Sequence, residues 1–251
     1  MRIRLVSFNI RCCDDPNGNS IAERAPRLRR AVMAREPDVI CFQELRPAWE
    51  PYMEEYYVDY DVYYKYRNMT VDIEAAPIMW RRDRFECISH GHYWLSDTPD
   101  VESKGWDELY DCYRMCTYVT LLDRRDGKAF TVMNTHLGFG DTSQIKSIEL
   151  IRERSLGISN LPKILTGDFN STPDSVCYRR VTEYYVDVNA VTARDLSPTY
   201  HAYDPTVDKA EHIDYCFVTE DVKPISQAII TDTYDGGFPS DHYGLSVELE
   251  L

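Results

Sequence analysis

The chain has 251 residues, 43% of them hydrophobic, and 28 Lys and Arg against 42 Asp and Glu give a formal charge of −14. This composition builds a sizeable core, and no Gly/Ser/Pro-rich linker interrupts it, so one domain spanning 1–251 is expected. The acidic balance makes a poor surface for duplex nucleic acid, whose binding rests on neutralising phosphates with basic side chains, and no apolar run approaches the roughly 20 residues of a membrane span.

Residues 2–10 alternate, with Ile3, Leu5, Phe8 and Ile10 among polar neighbours, which predicts a strand ending near Asn9. The N-terminus enters this strand directly, without the apolar stretch of a secretion signal, so a cytoplasmic protein is expected unless a leader was removed. A polar loop from Asp14 to Asn19 follows. Ser20 and Glu23 then have capping-box spacing, Pro26 suits a helix first turn, and Leu28, Val32 and Arg35 carry the helix to Glu36-Pro37. Asp38 to Glu44 is a continuous apolar run that ends in a carboxylate, consistent with a buried strand.

Between Trp49 and Arg67 stand seven tyrosines, at 52, 56, 57, 60, 63, 64 and 66. They read as a short helix and an amphipathic strand with rings on the packed face, in preference to a base-stacking platform. Antiparallel strands are predicted over Ala76–Trp80, Phe85–Leu95, Arg114–Asp123 and Lys128–Thr135, the last two joined by a hairpin turn at Asp123 to Gly127. Ser143–Leu156 has helical spacing. Lys163 to Asn170 reads as a short buried strand broken at Gly167, with Asp168 and Asn170 sent to one side by alternation. A short helix near Asp174–Arg180 and strands near Glu211–Val218, Lys223–Thr231 and Tyr243–Leu249 complete the chain. The eight cysteines lack the paired Cys-x-x-Cys arrangement of a zinc site and lie mostly in apolar runs, so reduced, buried thiols are expected.

Many short strands with few helices indicate two packed sheets flanked by helices. Polar groups collect at strand ends in six places: Asn9, Glu44, Asn134 to His136, Asp168 to Asn170, His212 to Asp214, and Ser240 to His242. A carboxylate can take a proton from water, and an amide can hold that water or a phosphate oxygen.

In chain order, Ser7-Phe8-Asn9-Ile10, Phe42-Gln43-Glu44, Asn134-Thr135-His136-Leu137-Gly138, Gly167-Asp168-Phe169-Asn170, His212-Ile213-Asp214-Tyr215 and Ser240-Asp241-His242 resemble the endonuclease/exonuclease/phosphatase superfamily, the group of pancreatic DNase I, exonuclease III and the sphingomyelinases. Trp80-Arg-Arg-Asp-Arg-Phe85 and Tyr93-Trp-Leu-Ser-Asp-Thr-Pro99 are similar to a bacterial branch of it. The resemblance implies an α/β, four-layer αββα sandwich of mostly antiparallel sheets and metal-dependent hydrolysis of a phosphate ester. It implies Glu44 as principal ligand for Mg2+ or Mn2+, with Asn9 and Asp241. It further implies Asp168 as the base for the attacking water, Asn170 holding water or phosphate, His136 and His242 as donors to phosphate oxygens, and Asp214 orienting His242. Arg114, ahead of the apolar run Met115–Val119, is a candidate phosphate contact, with a surface strand arginine as the alternative.

Two residues depart from that pattern. Arg11 stands where the DNA-repair nucleases carry a metal-holding Asp, so metal binding is expected to rest more heavily on Glu44. His212, read with His90, His92 and His201 as a structural or rim residue, stands where relatives often have Arg or Lys, implying a pH-dependent positive charge near the site. The expected substrate is a small or single-stranded phosphorylated molecule met by a monomer. The alternatives are a DNA or RNA nuclease, and a catalytically inactive phosphate-binding module. The loops expected to decide substrate are Cys12–Asn19, Asp97–Asp111, Gly138–Ser143 and Thr199–Ala210.

Overall fold

The computed structural model describes residues 1–206 and 208–251; Val207, within the predicted loop 199–210, lies outside the described residues. Twelve strands form two sheets of six. The first contains β1 (Arg2–Asn9), β2 (Val39–Gln43), β3 (Tyr60–Tyr63), β4 (Ile78–Arg81), β11 (Lys223–Ile230) and β12 (Gly244–Glu250), in the order β11-β12-β1-β2-β4-β3. The second contains β5 (Phe85–Trp94), β6 (Met115–Asp123), β7 (Ala129–His136), β8 (Lys163–Asp168), β9 (Val186–Asp187) and β10 (Asp214–Val218), in the order β5-β6-β7-β8-β10-β9. Each sheet contains one parallel pair, β1 with β2 and β7 with β8, and is otherwise antiparallel.

Alternation along the central strands explains both the core and the site. Ile3, Leu5, Val39, Cys41, Phe130, Val132, Ile164, Cys216 and Val218 face the space between the sheets and pack into one apolar cluster. Each fully buried Ile, Leu, Val or Phe stabilises the fold by about 1.5–3 kcal/mol. Two residues further along the same faces stand Gln43, Asn134 and Thr166, and at the strand ends Asn9, His136, Asp168 and Asp214. One face therefore changes from apolar to polar towards one edge of the sandwich, and the polar edge is closed by hydrogen bonds. Gln43 Nε2 donates to Asn134 Oδ1 at 2.8 Å, and Asn134 Nδ2 donates to the Phe42 and Pro77 carbonyls at 2.7 and 2.9 Å. These fully buried amides join the first sheet to the second.

The opposite faces take the helices, so the molecule has the expected four layers. Val6, Phe8, Ile40, Phe42 and Met79 pack under Ala25, Leu28 and Val32 of α1 (Ile21–Met33) and under Met53 of the short α2 (Glu50–Met53). Met133, Leu165 and Phe217 pack under Ile148 and Ile151 of α3 (Asp141–Ile158) and under Val181 of α4 (Val176–Thr182). The capping box forms, with Ser20 N donating to Glu23 Oε2 at 3.1 Å. Pro26 falls inside α1 rather than in its first turn. Tyr56 and Tyr60 are buried, Tyr52, Tyr57, Tyr64 and Tyr66 pack partly against the first outer layer, and Tyr63 packs against the core between the sheets. The two-residue strand β9 and the short α5 (Val188–Val191) were not anticipated. All eight cysteines are free thiols. Among the described residues, no helix is long and apolar enough to cross a membrane.

Candidate active site

The strand register assembles the site. β7 and β8 run parallel with His136 opposite Asp168, and antiparallel β10 sets Asp214 opposite Asp168 from the other side. Gly167 makes this possible: its φ is +143° and an added Cβ would lie 1.9 Å from the Thr135 carbonyl oxygen. Only glycine fits so close an approach of two backbones. β8 then ends, and Asn170 reaches the same cavity through a left-handed turn, φ +48°, rather than by continued alternation. Its backbone N–H donates to Asp168 Oδ1 at 2.9 Å, and its Nδ2 donates to the Leu137 carbonyl at 2.9 Å.

Asp168 is 2% exposed, and its other oxygen, Oδ2, is the point where the two sheets meet. Asn9 Nδ2 donates to it at 2.9 Å, and His136 Nε2 and His242 Nε2 stand 3.6 and 3.7 Å away. Asn9 Nδ2 also donates to Glu44 Oε1 at 3.1 Å, while the Cys12 backbone N–H donates to Glu44 Oε2 at 2.7 Å. Glu44 follows β2 with φ +66°. A non-glycine residue there costs about 1–2 kcal/mol, a strain that persists where the surroundings fix a functional geometry.

His242 donates from Nδ1 to Asp214 Oδ2 at 2.9 Å. Burial alone would lower its pKa, but the charges of Asp214, then Asp168 and Asp241, raise it to about 10. The ring therefore carries its second proton at neutral pH, on the nitrogen that faces Asp168. Asp241, itself buried, is pushed up from the usual carboxylate range by that burial and by the nearby Glu44 charge, while His242 and Arg11 oppose the shift.

Arg11 folds back onto Asp15, with Nε and Nη2 donating at 2.8 and 3.1 Å, and stands 3.8 Å from Asp241. Asp241 thus already faces a cation. Arg114 is buried and lines the cavity, with two nitrogens 3.4 Å from Asp107 and Nη1 without a partner. His212 does not meet the expectation of a charge near the site. Its Nδ1 lies 2.8 Å from the Ser197 carbonyl, its ring packs on Tyr215 at 5.1 Å, and only its neighbours Glu211 and Ile213 line the cavity.

Arg11, Glu44, Arg114, His136, Asp168, Asn170, Asp241 and His242 line one cavity of about 520 Å³, and Asn9 and Asp214 are buried behind them. Its lining also holds Arg46, Arg67, Asp72 and Glu74, which the sequence did not single out, and Cys12, Tyr110 and Phe139, which come from three of the loops expected to decide substrate. Glu74 is the most buried of the acidic ones among these, 4% exposed. Burial would raise its pKa, yet Arg67 at 2.9 Å and His136 Nδ1 at 3.3 Å hold it well below the carboxylate range. The sequence signal for it was slight: Arg67, Asp72 and Glu74 are charged residues just ahead of an apolar strand, in a stretch without periodicity.

An oxygen-rich donor set suits a hard divalent cation. Glu44, Asn9 and Asp241 satisfy that chemistry, since hydrogen bonds orient the Glu44 carboxylate and leave it acceptor capacity.

Comparison with known proteins agrees with the geometry. The profile of the Endonuclease/Exonuclease/phosphatase family matches residues 6–242. A solved endonuclease/exonuclease/phosphatase family protein from Bacteroides thetaiotaomicron is 28% identical, with TM-score 0.92 over 100% of this chain and 99% of that one. A mannosyl-6-phosphatase from the same organism is also 28% identical, with TM-score 0.91 over 99% and 100%. An uncharacterized protein of Acanthamoeba polyphaga mimivirus is 33% identical over 151 residues, 56% of this chain and 55% of that protein, so the chain spans about half the length of this curated relative. The chain belongs to the endonuclease/exonuclease/phosphatase family, a group of phosphoesterases and nucleases.

Proposed function

We propose that this protein is a divalent-metal-dependent phosphoester hydrolase acting on a small or single-stranded phosphorylated substrate. The observation that carries the reading is the convergence on Asp168 Oδ2 of Asn9 at 2.9 Å, His136 at 3.6 Å and His242 at 3.7 Å, beside the cavity.

Asp168 takes the proton of the attacking water, oriented for this by Asn9 and by the Asn170 N–H on its second oxygen. Asn170, tied to Leu137, presents its amide oxygen to water or substrate. His242 donates its Nε2 proton to a phosphate oxygen as negative charge builds, and Asp214 keeps the ring protonated and aligned. His136 supplies a second donor. Glu44, with Asn9 and Asp241, would hold a Mg2+ or Mn2+ ion, which would supply positive charge to the phosphate. Arg114 Nη1, unpartnered in the wall, is available to a peripheral phosphate oxygen.

The net charge of −14 supports a small ester over duplex DNA. Likeness to a mannosyl-6-phosphatase adds a phosphorylated sugar to the substrates worth testing. A single-strand nuclease is the second reading, favoured by the Tyr110–Phe139 edge-to-face ring pair at the rim, 5.5 Å between centroids, on which a base could stack. Both are tested by one panel assayed with Mg2+ or Mn2+: bis-p-nitrophenyl phosphate, sugar phosphates, inositol phosphates, phospholipids, RNA, and single- and double-stranded DNA. Turnover of sugar phosphates without polynucleotide cleavage is the expected result. Hydrolysis of none of them by folded, metal-loaded protein would overturn the enzyme reading in favour of a phosphate-binding module.

A further inference from the structure

Cys12 and Cys13 are consecutive, both partly exposed, and their sulfurs stand 3.6 Å apart as free thiols. Cys12 lines the cavity. Nothing in the hydrolytic reading uses either sulfur, yet the backbone leading into the pair holds two of the candidate metal ligands. The Arg11 N–H donates to Asn9 Oδ1 at 3.0 Å, and the Cys12 N–H donates to Glu44 Oε2 at 2.7 Å.

We propose that Cys12 and Cys13 form a reversible disulfide on exposure to a peroxide, and that this bond lowers the affinity of Glu44 and Asn9 for a divalent cation. The inference rests on the metal-dependent reading of the same cavity and adds a redox control to it.

Three features of the arrangement support it. First, the sulfurs are within reach: the 3.6 Å gap must close by about 1.5 Å to attain the roughly 2.05 Å of a disulfide. Second, the flanks of the pair are clamped while its centre is not. Buried Arg24 donates from Nη2 to the Arg11 and Cys13 carbonyls, at 3.2 and 2.6 Å, and Trp49 Nε1 donates to the Arg11 carbonyl at 2.9 Å. Between these clamps, the Cys12 carbonyl and the Cys13 N–H make no hydrogen bond among the described residues. The peptide unit that joins the two cysteines can therefore turn. Third, a disulfide between neighbours obliges it to turn, because consecutive Cα atoms are about 3.8 Å apart, below the usual 4.4–6.8 Å of a disulfide. The turn falls on Cys12, whose N–H orients Glu44, next to Arg11, already held left-handed at φ +60°. A bond under such strain is easily reduced again.

The two thiols have separate parts in the chemistry. Burial, with the charges of Glu44 and Glu74, pushes the Cys12 thiol up, so Cys13 meets the oxidant first. Its sulfur attacks a peroxide oxygen, the O–O bond breaks, and a sulfenic acid and a water form. The Cys12 sulfur then displaces hydroxide from that sulfenic sulfur, and its own proton completes a second water. Two thiols are oxidised to one disulfide as hydrogen peroxide is reduced to two waters.

The test treats the full chain with hydrogen peroxide and then with dithiothreitol. After each step the protein is desalted, its peptide masses are measured, and its Mn2+ affinity is read by titration calorimetry. In the peroxide-treated wild type the peptide holding residues 12 and 13 should lose two hydrogens, and Mn2+ affinity should fall about tenfold or more. Dithiothreitol should restore both. Cys13→Ser should bind Mn2+ like the reduced wild type before and after peroxide, whereas Cys87→Ser and Cys112→Ser should keep the response. Peroxide that leaves both thiols, or that takes Cys13 to a sulfinic acid without a bond to Cys12, overturns the inference. An equal fall in Cys13→Ser overturns it too, by assigning the effect to another residue. A Cys12–Cys13 bond with unchanged Mn2+ affinity overturns the control and leaves the metal reading standing. A reduced wild type that binds no Mn2+ overturns the metal reading itself, and the control with it.

Discussion

Replacing Asp168 by Asn removes one negative charge and the base while preserving shape. The structure sets the size of both effects. Oδ1 of Asp168 accepts one hydrogen bond, from Asn170, and Oδ2 accepts another from Asn9 with two imidazole nitrogens nearby. An amide keeps one acceptor and turns an NH2 towards donors, so one buried bond is lost. Leaving a buried donor unsatisfied costs about 1–3 kcal/mol, and at roughly 2–4 °C per kcal/mol for a chain of this size the Tm should fall by about 2–12 °C. Removal of a positioned base lowers kcat by about 10²–10⁴-fold. The assay pairs steady-state kinetics on the ester turned over fastest by the wild type with scanning calorimetry and a calorimetric metal titration. Folded, metal-binding protein with collapsed kcat is the expected outcome. Wild-type kcat would remove Asp168 from the mechanism, and loss of metal binding alongside turnover would reassign it to the metal site.

Asp214→Asn should act through His242. In the wild type the imidazolium form is present below pH about 10 and turnover declines as pH rises through that value; in the variant this alkaline limb should move towards neutrality, measured as the pH profile of kcat/KM. His201 is fully buried, neither ring nitrogen has a hydrogen-bond partner among the described residues, and burial lowers its pKa from 6.5 to about 4. Only the unfolded chain takes up the proton between those values, so stability is full above pH 6.5 and falls as pH drops towards 4, by about 2–3 kcal/mol. Urea unfolding across that range should show the loss, and His201→Phe should flatten it. Gly167→Ala places a methyl group 1.9 Å from the Thr135 carbonyl at φ +143°, and should cost at least about 3 kcal/mol in the same unfolding assay. Chelation of divalent ions should abolish turnover and Glu44→Ala should weaken metal binding, read by titration calorimetry.

The central strands and the residues at their ends were readable because each carries two local signals, an alternating apolar run and a polar residue in phase with it. Asn9, His136, Asp168 and Asp214 all fall on inward phases of their strands. Gln43 and Asn134 were legible as motif residues, but their part in joining the sheets depends on which strands face each other, a long-range fact. Glu74 and Arg67 were missed for a different reason, and Cys12 was legible only as the start of a loop. They sit in irregular backbone, where neither period nor turn chemistry says which way a side chain points, and only the pairing of Leu45 with Ala75 brings Glu74 over the floor. His212 packs on Tyr215 in keeping with its reading as a structural or rim residue, but the charge expected from it does not reach the site, because its two neighbours line the cavity instead, a rotation of one residue that composition does not record.

The amide contact between Gln43 and Asn134 has a mechanical consequence. Asn9 and Glu44 ride on one sheet, while His136, Asp168 and Asp214 ride on the other, so the distances across the candidate site measure how the two sheets are seated. An apolar interior resists separation but resists sliding less, and directional bonds supply the missing shear stiffness. A substitution in the clasp would therefore behave like a loosened hinge pin: every side chain of the candidate site keeps its rotamer and its own strand, yet the two halves of the site lose their common alignment.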